Sequence, residues 1–200
     1  PIFMSPVRDL LGIRYILVPP GLDLGGPGLT LSYQAADARI YANEAALPRA
    51  FVVPSARCLG DEAALRLIRE RKVDFRREVI LAGCATSPET GDGPAVSTAV
   101  IEHYGPERVA IAATSDRAGY LVLTDTWFPG WTARVDGRAA RVERADHAFR
   151  AVRLAPGRHQ VEFQYRPLSV RIGLALSVLA GLVTLLLAWP QRARPRRAQR

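Results

Sequence analysis

The chain has 200 residues, 48% of them hydrophobic, with two cysteines, three histidines and a formal net charge of +8 at pH 7. Five of those charges are the arginines of the C-terminal tail, which leaves about +3 elsewhere, and no recognition helix, zinc-finger spacing or aromatic RNA-binding signature accompanies them, so no nucleic-acid partner is expected. Two cysteines exclude a disulfide framework and a CxxC metal site, and no cofactor motif is present.

The chain opens "PIFMSPVRDLLGIRYILV", with no initiator methionine in first place, no charged n-region and no long apolar h-region, which is not a signal peptide. Short β-like runs follow: "IRYILV" ends at Pro19-Pro20-Gly21, "GGPGLTLSY" and "ARIYAN" come next, and "RAFVV" ends at Pro54. The "GGPG" of Gly25 to Gly28 lacks a P-loop lysine and a following helix, so it reads as a turn. From Asp61, "DEAALRLIRERKVDF" has acids in its first turn, basic residues in its last, and Ala64, Leu65, Ile68 and Lys72 at helical spacing. "REVILAG" then returns as a strand, so residues 50–83 are predicted to form a β-α-β unit within a small mixed α/β part spanning 1–84. Cys58 and Cys84 each follow a strand end on either side of the helix, which leaves a single bridge between them open outside the cytoplasm.

Residues 85–95, "ATSPETGDGPA", are a polar Gly/Pro-rich linker loop. From 96 to 167 the pattern is β: "STAVIEHY", "ERVAIAATS", "GYLVLTDTWF", "WTARVDG", "ARVERAD", "AFRAVRLAPG" and "RHQVEFQYRP". Asp136-Gly137 is a two-residue hairpin signal, and Pro156-Gly157 suits a type II turn because proline presets the first torsion and glycine accepts a positive one. Seven short strands at this spacing predict an immunoglobulin-like antiparallel β-sandwich, so the fold class is α+β and mostly β. His103, His147 and His159 stand singly, with no second ligand two to four residues away, so no metal site is expected. Ser55, Ser87 and Ser115 lack a nucleophile elbow, and Asp116, Asp125, Asp136 and Asp146 recur at the interval between turns, so no catalytic residue is nominated.

"IGLALSVLAGLVTLLLAW", residues 172–189, has no charge and no proline and reads as one transmembrane helix, about 27 Å long at the helical rise. Trp189 suits an interfacial anchor, and Pro190 opens the basic tail 190–200, in which Arg192, Arg194, Arg196 and Arg197 meet lipid headgroups and hold the tail in the cytoplasm. Residues 1–170 are then expected outside the bacterial membrane, and with no export signal in the chain an upstream membrane segment is expected as well.

"LVLTDTWFPGWTARVDG", from Leu121 to Gly137, gathers three aromatics and two aspartates around a Pro-Gly turn. One reading is a corner of the fold, in which Trp127, Phe128 and Trp131 cap the sandwich while Asp125 or Asp136 bonds turn N–H groups. A second is a glycan contact, with the faces of Trp127 and Trp131 stacked on sugar C–H surfaces and Asp125 or Asp136 accepting hydroxyl hydrogen bonds. Contact of the tryptophans with the membrane surface is a third.

"DLLGIRYILV", "ALPRAFVV", "LVLTDTWFPGWTARVDG" and "LAPGRHQVEFQYRP", followed at once by a last hydrophobic helix, resemble the C-terminal part of the YfhO-like bacterial membrane proteins. The resemblance implies a GT-C type, glycosyltransferase-like parent with many transmembrane helices, a lipid-linked sugar donor and an envelope polymer as acceptor. It also implies that the catalytic carboxylates lie in an early loop outside this chain, so that the chain is an accessory domain and closing helix whose partners include upstream helices of the same protein. The alternative is a membrane-anchored β-sandwich that binds a glycan or another protein.

Overall fold

The computed structural model of the chain describes residues 6–83 and 96–188. Two units make up the chain, Pro1–Tyr165 and Arg166–Arg200. The first begins with a short helix, α1 (Pro6–Leu10), and a small antiparallel sheet of β1 (Tyr15–Val18), β2 (Leu29–Gln34) and β3 (Arg39–Asn43) in the order β1-β3-β2. Then come β4 (Ala50–Val53), β5 (Ser55–Cys58), α2 (Asp61–Arg69) and β6 (Glu78–Ala82). After residue 95 follow β7 (Ser97–Tyr104), β8 (Arg108–Ser115), β9 (Gly119–Leu123), β10 (Trp131–Val135), β11 (Arg138–Ala140), β12 (Glu143–Ala145), β13 (Phe149–Leu154) and β14 (Gly157–Tyr165).

These strands form two larger sheets. One has five strands in the order β11-β10-β14-β8-β7, antiparallel throughout; the other has six, β4-β9-β13-β12-β6-β5, with β5 and β6 as its parallel pair. Strand β8 shows why the first sheet has one buried face: Val109, Ile111 and Ala113 alternate inward, and they share a core with Val161 and Phe163 of β14 and with Leu121, Leu123, Val152 and Leu154 of the six-stranded sheet. In β9 every residue is buried, because Tyr120 and Val122 face the other way, into a second core with Phe51, Val53, Phe75, Val79 and Leu81. Helix α2 covers that second core with Ala64 and Ile68. A strand covered on both faces loses its alternation and reads as a continuous apolar run, as "GYLVL" does.

The mostly β α+β class and the antiparallel sandwich therefore match the sequence-based expectation. The strand assignment changes in two respects. The run expected as one strand, "ARVERAD", is divided between β11 in the five-stranded sheet and β12 in the six-stranded one, so among the described residues eight strands and not seven follow residue 95. The β-α-β unit runs β5-α2-β6, not from 50–53, because Pro54 ends β4 and the chain turns so that β4 pairs antiparallel with β9 while the short, polar "SARC" of β5 lies parallel to β6. As a result, strands from 1–84 and strands from 96–167 share the six-stranded sheet. Helix α2 stops at Arg69, before Lys72, and Arg71 at φ 58° turns the chain away from the helical path.

Two glycines are required by the geometry. Asp136 and Gly137 both have positive φ, 51° and 76°, which makes the β10–β11 connection a two-residue primed turn matched to strand twist. At Gly119, the start of β9, an added Cβ would lie 2.4 Å from the Val53 carbonyl oxygen, so the β4–β9 pairing depends on the missing side chain.

The second unit contains α3 (Leu168–Ala188), 21 residues with a mean hydropathy of 2.2. By length and composition it is able to cross a membrane, since 21 residues rise about 32 Å.

Candidate functional site

Strand β9 leaves the sheet at Leu123, and residues 124–130 cross to β10 through the Pro129-Gly130 turn, with Gly130 at φ 109°. That crossing places Asp125 and Trp131 together with Tyr104 at the end of β7. With Gly105 and Pro106 these residues line an open cleft of about 330 Å³. Asp125 is its hub. Arg49 Nη1 donates to Asp125 Oδ1 at 2.9 Å, the Tyr104 hydroxyl donates to the same oxygen at 3.0 Å, and Arg150 Nη2 donates to Oδ2 at 2.8 Å. Arg49 also donates to the Tyr104 hydroxyl at 3.3 Å, and its guanidinium lies 5.3 Å from the centre of the tyrosine ring.

The two arginines differ in environment. Arg150 is 2% exposed and lies 3.7 Å over the Trp131 ring and 5.5 Å from that of Phe163, whereas the Arg49 side chain is 54% exposed. Burial, its largest influence, holds the Arg150 pKa below its ordinary value, against the pull of Asp125. The hydrogen bond to Asp125 holds Arg49 above its ordinary value, and burial, reinforced by Asp125, pushes the Tyr104 hydroxyl up. Tyr165, paired with Trp131 across β14, closes the stack with ring centres 5.2 Å apart.

Of the four residues predicted to contact glycan, Asp125 and Trp131 belong to this cleft. Trp127 has other neighbours: its N–H donates to the Ala148 carbonyl at 2.7 Å, and its ring lies 5.9 Å from the Arg144 guanidinium, which in turn pairs with Asp61 at the start of α2. Asp136 sits at the β10–β11 turn, at the opposite end of β10 from Trp131. There Oδ1 accepts the Gln160 N–H at 2.8 Å and Oδ2 lies 2.7 Å from His159 Nδ1, beside a second cleft of about 350 Å³ lined by Ala112, Thr114, Arg158 and His159. The His159 Nε2 lies 2.9 Å from the Ala155 carbonyl, so both ring nitrogens face acceptors and the imidazolium form fits best. Asp136 accordingly raises the His159 pKa, and His159 lowers that of Asp136.

The corner reading expected an aspartate to bond backbone N–H groups of the turns. Asp136 instead accepts a strand N–H, that of Gln160 in β14, while Asp125 bonds the side chains of Arg49, Tyr104 and Arg150. Arg49, Tyr104 and Arg150 were not singled out from sequence. Arg150 does carry a signal, a charge inside the apolar run "AFRAVRL", where the neighbours on both sides are buried. Arg49 carries none, because it meets Asp125 from 76 residues away. Cys58 ends β5, whereas Cys84, Trp189, Arg192, Arg194, Arg196 and Arg197 lie outside the described residues. Among the described residues no cluster of three or more His, Cys, Asp or Glu is arranged to hold a metal ion.

Residues 97–177, from β7 through β14 into α3, match the family of the bacterial membrane protein YfhO. A Bacillus subtilis (strain 168) protein with the description "Uncharacterized protein YfhO" is 27% identical over 86 residues, which make up 43% of this chain and 10% of that protein. The chain thus spans only about a tenth of that relative's length, and no solved structure matches it. The strands from β7 onward and the first part of the apolar helix that follows them are therefore similar to the corresponding stretch of the YfhO family of bacterial membrane proteins.

Proposed function

We propose that the chain is the extracytoplasmic C-terminal domain and last membrane helix of a polytopic, glycosyltransferase-like envelope protein, accessory to sugar transfer from a lipid-linked donor and not catalytic by itself. The observation that carries this reading is the unbroken family match from Ser97 through the sandwich to residue 177, inside the apolar helix. Among the described carboxylates, Asp61, Glu78, Asp125, Asp136 and Glu162 are each held by a cation or a histidine, which gives those five structural partners. The basic tail supports a cytoplasmic C-terminus, and by the same rule an outer location for the sandwich.

The test has two arms. Membranes from cells carrying the whole parent gene, and from cells whose copy lacks the codons for 97–165, are incubated with a radiolabelled lipid-linked sugar. Label is expected to enter the envelope polymer only in the first. Equal incorporation with and without the entire gene refutes the sugar-transfer reading. Alkaline phosphatase fused after Tyr165 is expected to be active and fused after Arg200 inactive; the reverse pattern overturns the topology. The second reading, a membrane-tethered binding module, is favoured by one specific observation, the open cleft whose wall includes Trp131 and Asp125.

A further inference from the structure

The cleft at Tyr104, Asp125 and Trp131 has a lopsided supply of hydrogen-bonding groups, and this inference rests on the binding-module reading of that cleft. On the acceptor side, Asp125 Oδ1 already takes two donors and Oδ2 a third, while the Tyr104 hydroxyl both donates to Asp125 and accepts from Arg49. On the donor side there is a surplus. A guanidinium carries five N–H groups in a fixed fork, and among the described residues only Nη1 of Arg49 is engaged, by Tyr104 and Asp125 of the cleft. Arg150, stacked on the Trp131 wall, has Nε and Nη1 buried with no acceptor among the described residues.

The charges are equally uneven, because two guanidinium groups share one carboxylate and leave one positive charge unbalanced beside the cleft. A neutral sugar needs acceptors for its hydroxyls, and Asp125, which already takes three donors, has about one lone-pair site left to supply them. A metal cation is repelled. A ligand that brings its own acceptors and a negative charge meets the free Nε and Nη2 edge of Arg49, the edge that binds carboxylate or phosphate in bidentate fashion. Trp131, with Arg150 stacked over its ring, still lines the cleft and gives a ligand ring an apolar contact beside that anion.

We propose that the cleft lined by Tyr104, Asp125 and Trp131, with Arg49 bonded to the first two, binds a sugar ring bearing an anionic group, a carboxylate or a phosphate, with Arg49 holding the anion and Trp131 in contact with the ring. Asp125 then acts as the anchor that aims Arg49 and keeps Arg150 neutralised, and it does not touch the ligand's hydroxyls.

The test uses the full chain, labelled with nitrogen-15, in non-ionic detergent micelles, and follows the indole N–H signal of Trp131, identified by its loss in Trp131→Phe. Glucuronate and glucose 1-phosphate distinguish the two sources of charge, glucose lacks the charge, and inorganic phosphate lacks the ring. A saturable shift is expected with glucuronate or glucose 1-phosphate, with both glucose and inorganic phosphate binding at least about tenfold more weakly. Arg49→Gln, at an exposed side chain, is expected to weaken the charged sugar about tenfold while leaving the circular dichroism spectrum unchanged, and Arg49→Lys to recover part of the loss. Glucose or phosphate binding as tightly as the charged sugars, an Arg49→Gln chain that binds like the wild type, or no shift with any of the four overturns the proposal. Failure here with loss of sugar transfer on deleting 97–165 refutes the cleft assignment alone and leaves the accessory-domain reading standing.

Discussion

Asp146 gives the sharpest test of the fold. It is 4% exposed, and it pairs with β6 through both its backbone and its side chain: its N–H donates to the Ile80 carbonyl at 2.7 Å, and the Ile80 N–H donates to its Oδ1 at 2.9 Å. The other oxygen, Oδ2, is buried with no hydrogen-bond partner among the described residues. Burial pushes the carboxyl pKa from 3.8 up to about 7, the Ile80 bond opposes the rise, and nearby Glu78 adds to it. At acid pH, below 3.8, the group is protonated folded or unfolded. Between there and about 7 the unfolded chain ionises first and binds fewer protons, so stability falls as pH rises; above that the penalty is constant. A rise of about three units at 1.36 kcal/mol each makes that penalty about 4 kcal/mol. Asp146→Asn keeps the Oδ1 acceptor and cannot ionise. The full chain in detergent, unfolded by urea and followed by tryptophan emission from pH 4.5 to 8, is therefore expected to show the variant gaining on the wild type as pH rises, by several kcal/mol. His159 titrates in part of the same range but cancels in the difference. A wild-type-to-variant difference that is flat across this range refutes the argument that a buried, half-satisfied carboxyl sits beneath β6.

Four further outcomes are expected. Gly119→Ala forces a Cβ against the Val53 carbonyl and is predicted to cost about 1–3 kcal/mol in urea unfolding, separating β4 from β9; an unchanged midpoint contradicts the close approach. Asp125→Ala leaves Arg150 charged and buried, at a cost of about 3–5 kcal/mol, whereas Arg49→Met breaks only an exposed pair worth about 0–1 kcal/mol. The reverse ranking would show that Arg150 has another partner. The His159 ring resonance is predicted to titrate above 6.5 and to drop in Asp136→Asn; because its folded pKa is raised, its stabilising contribution is full below 6.5 and lost as pH rises through the folded value. Cys58 and Cys84 are predicted to pair, so the intact mass without reductant should lack two hydrogens, and a Cys58→Ser chain should lose about 3 kcal/mol.

How far the fold was legible depends on the distance over which each residue's environment is set. The Asp136-Gly137 turn, the alternation of "ERVAIAATS" and the apolar run from Ile172 onward are local, and each is found within the element the pattern gave it, although α3 starts earlier, at Leu168. The β4–β9 pairing joins strands about seventy residues apart. Its only trace is that "AFVV" and "GYLVL" lack polar alternation, as strands with two buried faces must, and nothing in either run names the partner.

The cleft is an extreme case of the same problem. "DTWFPGW" draws attention to its tryptophans, yet Trp127 and Trp131 turn to different partners, and the chemistry is decided by Arg49, Tyr104 and Arg150, which come from three other places in the chain. Arg150 had to be stacked on Trp131 and tied to Asp125, because a guanidinium in the core of β13 is tolerated only when paired. Once Asp125 is committed to that task, with three donors on its two oxygens, little acceptor capacity is left for a ligand, so the corner reading and the binding reading of one short stretch are linked. The aspartate that builds the corner is also what leaves Arg49 as the free donor beside the cleft, and a ligand of this cleft is selected by what the fold has already used up.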